Sequence, residues 1–153
     1  IAGFAGIMGA QLRRMVAKKT YVALESRARQ QRPTGGKAYG YRNGGIVEAE
    51  AAIVREIFEA FASGQSARRI ADSLNARGVP SPGSSWNRTE RRCGGGLGSG
   101  IRAMLLNDRY RGRVIWNRTT WAKNPDTGLR RCERRPESEW IVHTDESQRI
   151  VSD

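Results

Sequence analysis

The chain has 153 residues, with 27 Lys and Arg against 15 Asp and Glu, for a formal net charge of +12. That length suits one ordinary domain or a small domain with an appendage, and 38% apolar residues suffice for a small core. No stretch reaches the ~18 apolar residues of a membrane span, and the apolar opening Ile1–Ala10 has no basic lead of the signal-peptide kind.

Residues 1–31 read as one long helix. Phe4, Met8, Leu12, Met15, Val16, Val22 and Ala23 recur at three- and four-residue steps, and Arg13, Arg14, Lys18, Lys19, Arg27 and Arg29 fill the other positions. Pro33 and Gly35–Gly36 are expected to stop it. A single apolar stripe with no earlier partner element predicts that the helix packs on another domain or on a second copy of itself. Residues 32–45 (RPTGGKAYGYRNGG) read as a loop or short hairpin. They suit an arm that follows a DNA groove, and equally a linker whose tyrosines pack on the next domain.

Residues 47–63 form the clearest helix. Its face runs Val47, Glu50, Ile53, Val54, Ile57, Phe58 and Phe61, and only Glu50 breaks the pattern. Gly64 ends it, Ser66 caps a second helix over 67–77, and Gly78 stops that one. The pair resembles the first half of a helix-turn-helix, although a plain helical hairpin fits as well. Residues 79–98 read as loop, with Trp86 as its anchor and Arg88, Arg91 and Arg92 ahead of a glycine run. Ser99 is expected to cap a short helix over 100–106. Strands are expected over 110–121, 127–133 and 138–143, then the start of a terminal helix over 145–150. The fold class expected is α+β: a long N-terminal helix, then a mainly helical domain with a helix-turn-helix-like hairpin and a small antiparallel sheet.

The charge is laid out in blocks. Residues 1–45 carry nine Lys and Arg against one Glu, and residues 78–135 carry thirteen against four. The stretch between is nearly neutral, and the last 18 residues are acidic. Two concentrated basic blocks call for a polyanion, and the second holds twelve Arg and one Lys. The planar fork of Arg suits phosphates and guanine edges, so double-stranded DNA is the expected partner. Neutralising about six phosphates gives a salt slope of about −5.

Little in the chain points to catalysis. Cys93 and Cys132 lie 39 residues apart and His143 is the single histidine, a spacing that fits no four-ligand zinc site. Both thiols are read as free in a reducing compartment. The glycines around Gly98 follow no strand and precede no GK[ST], and no HExxH, GxSxG or carboxylate pair stands out. No metal, no cofactor, no membrane and no small-molecule substrate are expected. The chain by itself reads as a binding module. It opens at Ile1 rather than Met, which is read as a piece of a longer protein.

Several separated motifs then occur in one order: GYR, a short turn, EAAIVREIFEAFASGQSARRIADSLNARGVPSPGSSW, then IRAMLLNDRYRG. This order resembles the recombinase domain of large serine site-specific recombinases, of the resolvase/invertase superfamily. The preceding AQLRRMVAKKTYVALESRARQQRPTGGKAYGYR resembles the end of their resolvase-type catalytic domain. The resemblance implies three parts: residues 1–32 as the end of the catalytic domain's long helix, 33–45 as an arm, and 46–153 as the DNA-binding recombinase domain. It implies a parent enzyme that cuts and rejoins DNA at attachment sites through a serine upstream of Ile1. That enzyme would act as a dimer on each site and a tetramer at synapsis, in a bacterial or phage-infected cytoplasm.

Arg13 matches the arginine of the family's Glu–Arg pair, with Leu12 where the Glu stands. Arg27, Arg29, Arg32, Lys37 and Arg42 map to the segment that approaches the minor groove. The remaining candidate DNA contacts are Arg14, Lys18, Lys19, Arg68, Arg69, Arg88, Arg91, Arg92, Arg102, Arg111 and Arg113. A zinc-ribbon domain usually follows in this family. The alternative reading is a non-catalytic helix-turn-helix regulator that binds nucleic acid.

Overall fold

A computed structural model describes residues 2–32, 34–42, 44–83 and 96–152, with side chains described from Met8 onward in the first helix. Trp86, Arg88, Arg91, Arg92 and Cys93 lie outside the described residues. Among the described residues the chain forms four α-helices and three two-stranded sheets, an α+β architecture. It divides into two compact units, Ile1–Gly35 with Ile115–His143, and Gly36–Val114 with Thr144–Asp153.

In the first unit, helix α1 spans Ala2–Arg29, about 42 Å at the usual rise. It ends at Gln31, in the left-handed region with φ 58°, ahead of the glycines expected to stop it. Met8, Leu12, Met15, Val16 and Val22 are each more than half exposed, so the predicted stripe stays open along most of the helix. The Tyr21 ring sits 5.1 Å from Trp116.

The strand expected over 110–121 is broken. Asn117 takes φ 66° and donates from Nδ2 to the Glu139 carbonyl at 3.0 Å. Asn tolerates this conformation better than β-branched residues do. The break separates strand β3, Arg113–Trp116, from β4, Thr119–Lys123. Strand β4 pairs antiparallel with β5, Arg130–Arg134, near the return strand that was expected. The Asn124 Oδ1 accepts from the Asp126 and Thr127 amides at 2.8 and 3.1 Å, and Gly128 takes φ 68°, which closes the turn. Strand β6, Ile141–Thr144, pairs with β3. Trp140 donates from its indole to the Arg135 carbonyl at 3.0 Å, and the guanidiniums of Arg118 and Arg134 lie over its ring.

In the second unit, a short hairpin of β1, Tyr41–Arg42, and β2, Gly45–Ile46, leads into α2, Glu48–Ala62. Ala51, Val54 and Ile57 of α2 are buried, while Phe61, expected on the same face, is half exposed because it lies in the final turn. Glu50 breaks the apolar pattern for a reason: its Oε2 accepts the Gly40 amide at 2.8 Å and pins the hairpin to the helix. Helix α3, Ala67–Ala76, starts at Ser66, whose hydroxyl accepts from the Arg69 amide. Helix α4 spans Gly98–Leu105. Its cap residue is Leu97 without a side-chain bond, so Ser99 is inside the helix and not its cap. Residues 146–148 form a single 3-10 turn, capped by Asp145, where a terminal helix was expected to begin.

The core of this unit joins Ala51, Val54, Ile57, Ile70, Ala71, Leu74, Ile101, Met104, Tyr110 and Ile150. Gly112, at φ 74°, closes the turn after Tyr110, and a Cβ there would lie 2.9 Å from the Asp145 carbonyl oxygen.

Three tyrosines tie the hairpin to this core. Tyr110 donates to the Tyr39 carbonyl at 3.0 Å, and Tyr41 donates to the Gln148 carbonyl at 2.6 Å. Burial pushes the Tyr41 phenol up to about 12, against the opposing pull of nearby Arg109. Burial also raises Tyr110, and it raises Tyr39 with help from Glu50. A phenol with a raised folded pKa contributes stability below its unfolded value near 10, and that stability is lost as pH rises through the folded value. Ultraviolet titration is therefore expected to show these three phenols ionising well above pH ~10, accompanied by unfolding. Complete titration of all tyrosines near pH ~10 with the helices intact would contradict this packing.

Candidate nucleic-acid interface

The strongest basic grouping in the second unit is built by α3 and α4. Burial of Ala67, Ile70, Ala71 and Leu74 turns Arg68 and Arg69 outward, and both are exposed. Gly98 lets α4 approach: a Cβ there would lie 3.1 Å from the Arg68 Cα and 3.2 Å from its amide nitrogen. The two helix starts therefore meet backbone to backbone. Asn75 holds the chain just before this contact, donating to the Gly96 carbonyl at 2.9 Å and accepting the Gly96 amide at 2.8 Å. Arg102 follows Gly98 by one helical turn and is exposed.

The arrangement suits phosphate. A helix start without a side-chain cap leaves amides facing outward at its positive end. Two exposed guanidiniums stand at the neighbouring helix start. Arg68, Arg69 and Arg102 have no carboxylate partner among the described residues.

The other expected contacts are distributed between the units. Arg13, Arg14, Lys18, Lys19 and Arg27 are exposed along α1, and Arg32 follows it. Arg29 is bound to Glu25 at 2.7 Å. Lys37 is exposed ahead of the β1–β2 hairpin, and Arg42 lies 3.6 Å from Glu50. Arg111 and Arg113 are exposed on either side of Gly112. Arg109 serves the fold instead. Its guanidinium forks onto the Gln148 side-chain oxygen at 3.1 and 2.7 Å and lies over the Tyr41 ring.

Arg55 and Arg77 pair with Glu48 and Glu56 at 2.6 and 2.9 Å. The Arg55 hydrogen bond holds the Glu48 carboxyl below its ordinary range. Among the described residues no cluster of His, Cys, Asp and Glu gathers to hold a metal ion, and no helix is long and apolar enough to cross a membrane.

A helical unit that presents cations, unpaired among the described residues, at two abutting helix starts has a charge layout that suits a polyanion. The family model described as Recombinase matches residues 48–153, and the chain belongs to that family. Membership ties it to DNA recombination and implies interaction with DNA. No curated protein and no solved structure matches the chain.

Proposed function

We propose that this chain is the DNA-engaging region of a serine site-specific recombinase, in which a resolvase-type catalytic domain supplies the serine nucleophile that cuts and rejoins DNA at attachment sites. The observation that carries the proposal is the α3–α4 grouping of Arg68, Arg69 and Arg102 around an uncapped helix start, within the segment that matches the family model. On this reading residues 1–32 are the end of the catalytic domain's long helix, and residues 33–45 are an arm along the minor groove. Residues 46–153 then grip the flanking duplex. The exposed stripe of Met8, Leu12, Met15, Val16 and Val22 supports an assembled state, a dimer on each site and a tetramer at synapsis. The setting is the cytoplasm of a bacterium or of a phage-infected cell.

Fluorescence anisotropy tests the DNA part. The chain is expected to bind a duplex of about 30 bp at ~50 mM salt, with a log–log salt slope near −5 for about six phosphates. Absence of duplex binding at that salt would sink the proposal. The strand-exchange part rests on the reading frame upstream, expected to encode a resolvase-type catalytic domain. A different upstream domain would favour a non-catalytic regulator.

A further inference from the structure

We infer that the β4–β5 hairpin of the first unit is a second DNA-binding element, a cationic two-stranded ribbon that enters a groove of the duplex with Trp121 on its contacting face. The inference rests on the proposal above that the partner is duplex DNA.

The register carries it. Residues directly opposite in an antiparallel pair share a face, and faces alternate along the strand. Thr119 faces Arg134, Trp121 faces Cys132, and Lys123 faces Arg130, so these six side chains share one side. That side holds three cations and no carboxylate. On the other side Thr120 faces Glu133 and Ala122 faces Arg131, where the charges cancel. The net charge of the ribbon is therefore concentrated on one side.

The charged side is also open. Trp121 is 62% exposed, and Lys123, Arg130 and Cys132 on the same side are exposed as well. Among the described residues Lys123 and Arg130 have no ion-pair partner, whereas Arg134 is held at the base by Glu137 at 2.9 Å. An indole left this open, beside two unpaired cations, suits a partner that offers both negative charge and flat apolar surface. The sugar–phosphate wall of a DNA groove offers both. The dimensions agree: a two-stranded ribbon fits a major groove about 12 Å wide, and strands of five residues extend roughly 17 Å.

The test uses the full chain and a labelled duplex of about 30 bp, titrated with salt. The double variant Lys123→Gln with Arg130→Gln removes charge and keeps the side-chain stems. It is expected to bind about tenfold or more weakly near 0.1 M salt, with the slope shallower by about 1.8. Trp121→Ala is expected to weaken binding about fivefold with the slope unchanged, since base and sugar contacts release no counterions. If both variants bind as the parent does, or change only solubility as edge-strand charges can, the ribbon is not a contact and the inference falls while the DNA reading stands. If the parent chain fails to bind duplex at all, both fall together.

Discussion

Tyr110→Ala is expected to cost the helical unit about 4 kcal/mol, the typical penalty for emptying an aromatic core site. Tyr110 is 1% exposed and is the largest fully buried side chain described. Its ring stacks on Tyr41 at 5.8 Å and takes Phe58 edge-on at 6.0 Å, and its hydroxyl donates to the Tyr39 carbonyl. Its own carbonyl accepts the amides of Ile150 and Val151. One residue therefore joins the β1–β2 hairpin, α2 and the C-terminal segment. Native-state hydrogen exchange reads this unit separately from the other, and protection of the Val54 and Ile57 amides is expected to fall about a thousandfold. Tyr110→Phe keeps the ring and leaves the Tyr39 carbonyl without its donor, for about 1–2 kcal/mol. An Ala variant within about 1 kcal/mol of the parent would show that the site collapses without loss and that the junction lies elsewhere.

The largest functional effect is expected from Arg68→Ala, Arg69→Ala and Arg102→Ala together. Each cation that neutralises a phosphate releases about 0.9 of a counterion, so losing three makes the salt slope shallower by about 2.7 and costs on the order of 10²-fold in affinity near 0.1 M salt. The loss is expected on duplexes of any sequence where these groups meet phosphate, and to depend on sequence where they meet base edges. All three side chains are exposed and belong to helices whose apolar faces stay intact, so the helical content is expected to remain. Anisotropy on the triple variant decides the matter. An unaltered slope would remove the α3–α4 grouping from the interface.

The helices were legible because their signals are local. The apolar spacing of Val54 and Ile57, the Ser66 cap and the glycines at 64 and 78 depend only on near neighbours, and α2 and α3 run within a residue of their expected bounds. The strand region was legible only in outline. The tolerance of Asn117 for φ 66° is visible in its chemistry, but whether the chain uses it depends on what its side chain meets, here the Glu139 carbonyl. Ser99 shows the same limit. A serine ahead of an apolar run is a sound cap signal, yet the close approach of Gly98 to Arg68 starts the helix earlier. Lys123, Arg130 and Trp121 escaped sequence reasoning because sharing a face requires the pairing register, and the residues concerned are up to nine positions apart. The hairpin across the Asn-Pro-Asp-Thr-Gly turn was legible, and only a residue-by-residue register would have sorted its charges by parity.

By itself the sequence determined that this is a strongly cationic chain with three amphipathic helices in its centre and a long, stripe-bearing helix at its start. Net charge is a sum over residues, and helix periodicity is set within a turn or two. Tertiary structure decided which cations are available. Arg109 is consumed by Gln148 and Tyr41 and Arg77 by Glu56, partners far along the chain, while Arg68, Arg69 and Arg102 stay outward. An arginine's charge is written in its side chain, but its partner is chosen by whatever the folded backbone carries within reach of its fork, and no local pattern specifies that choice.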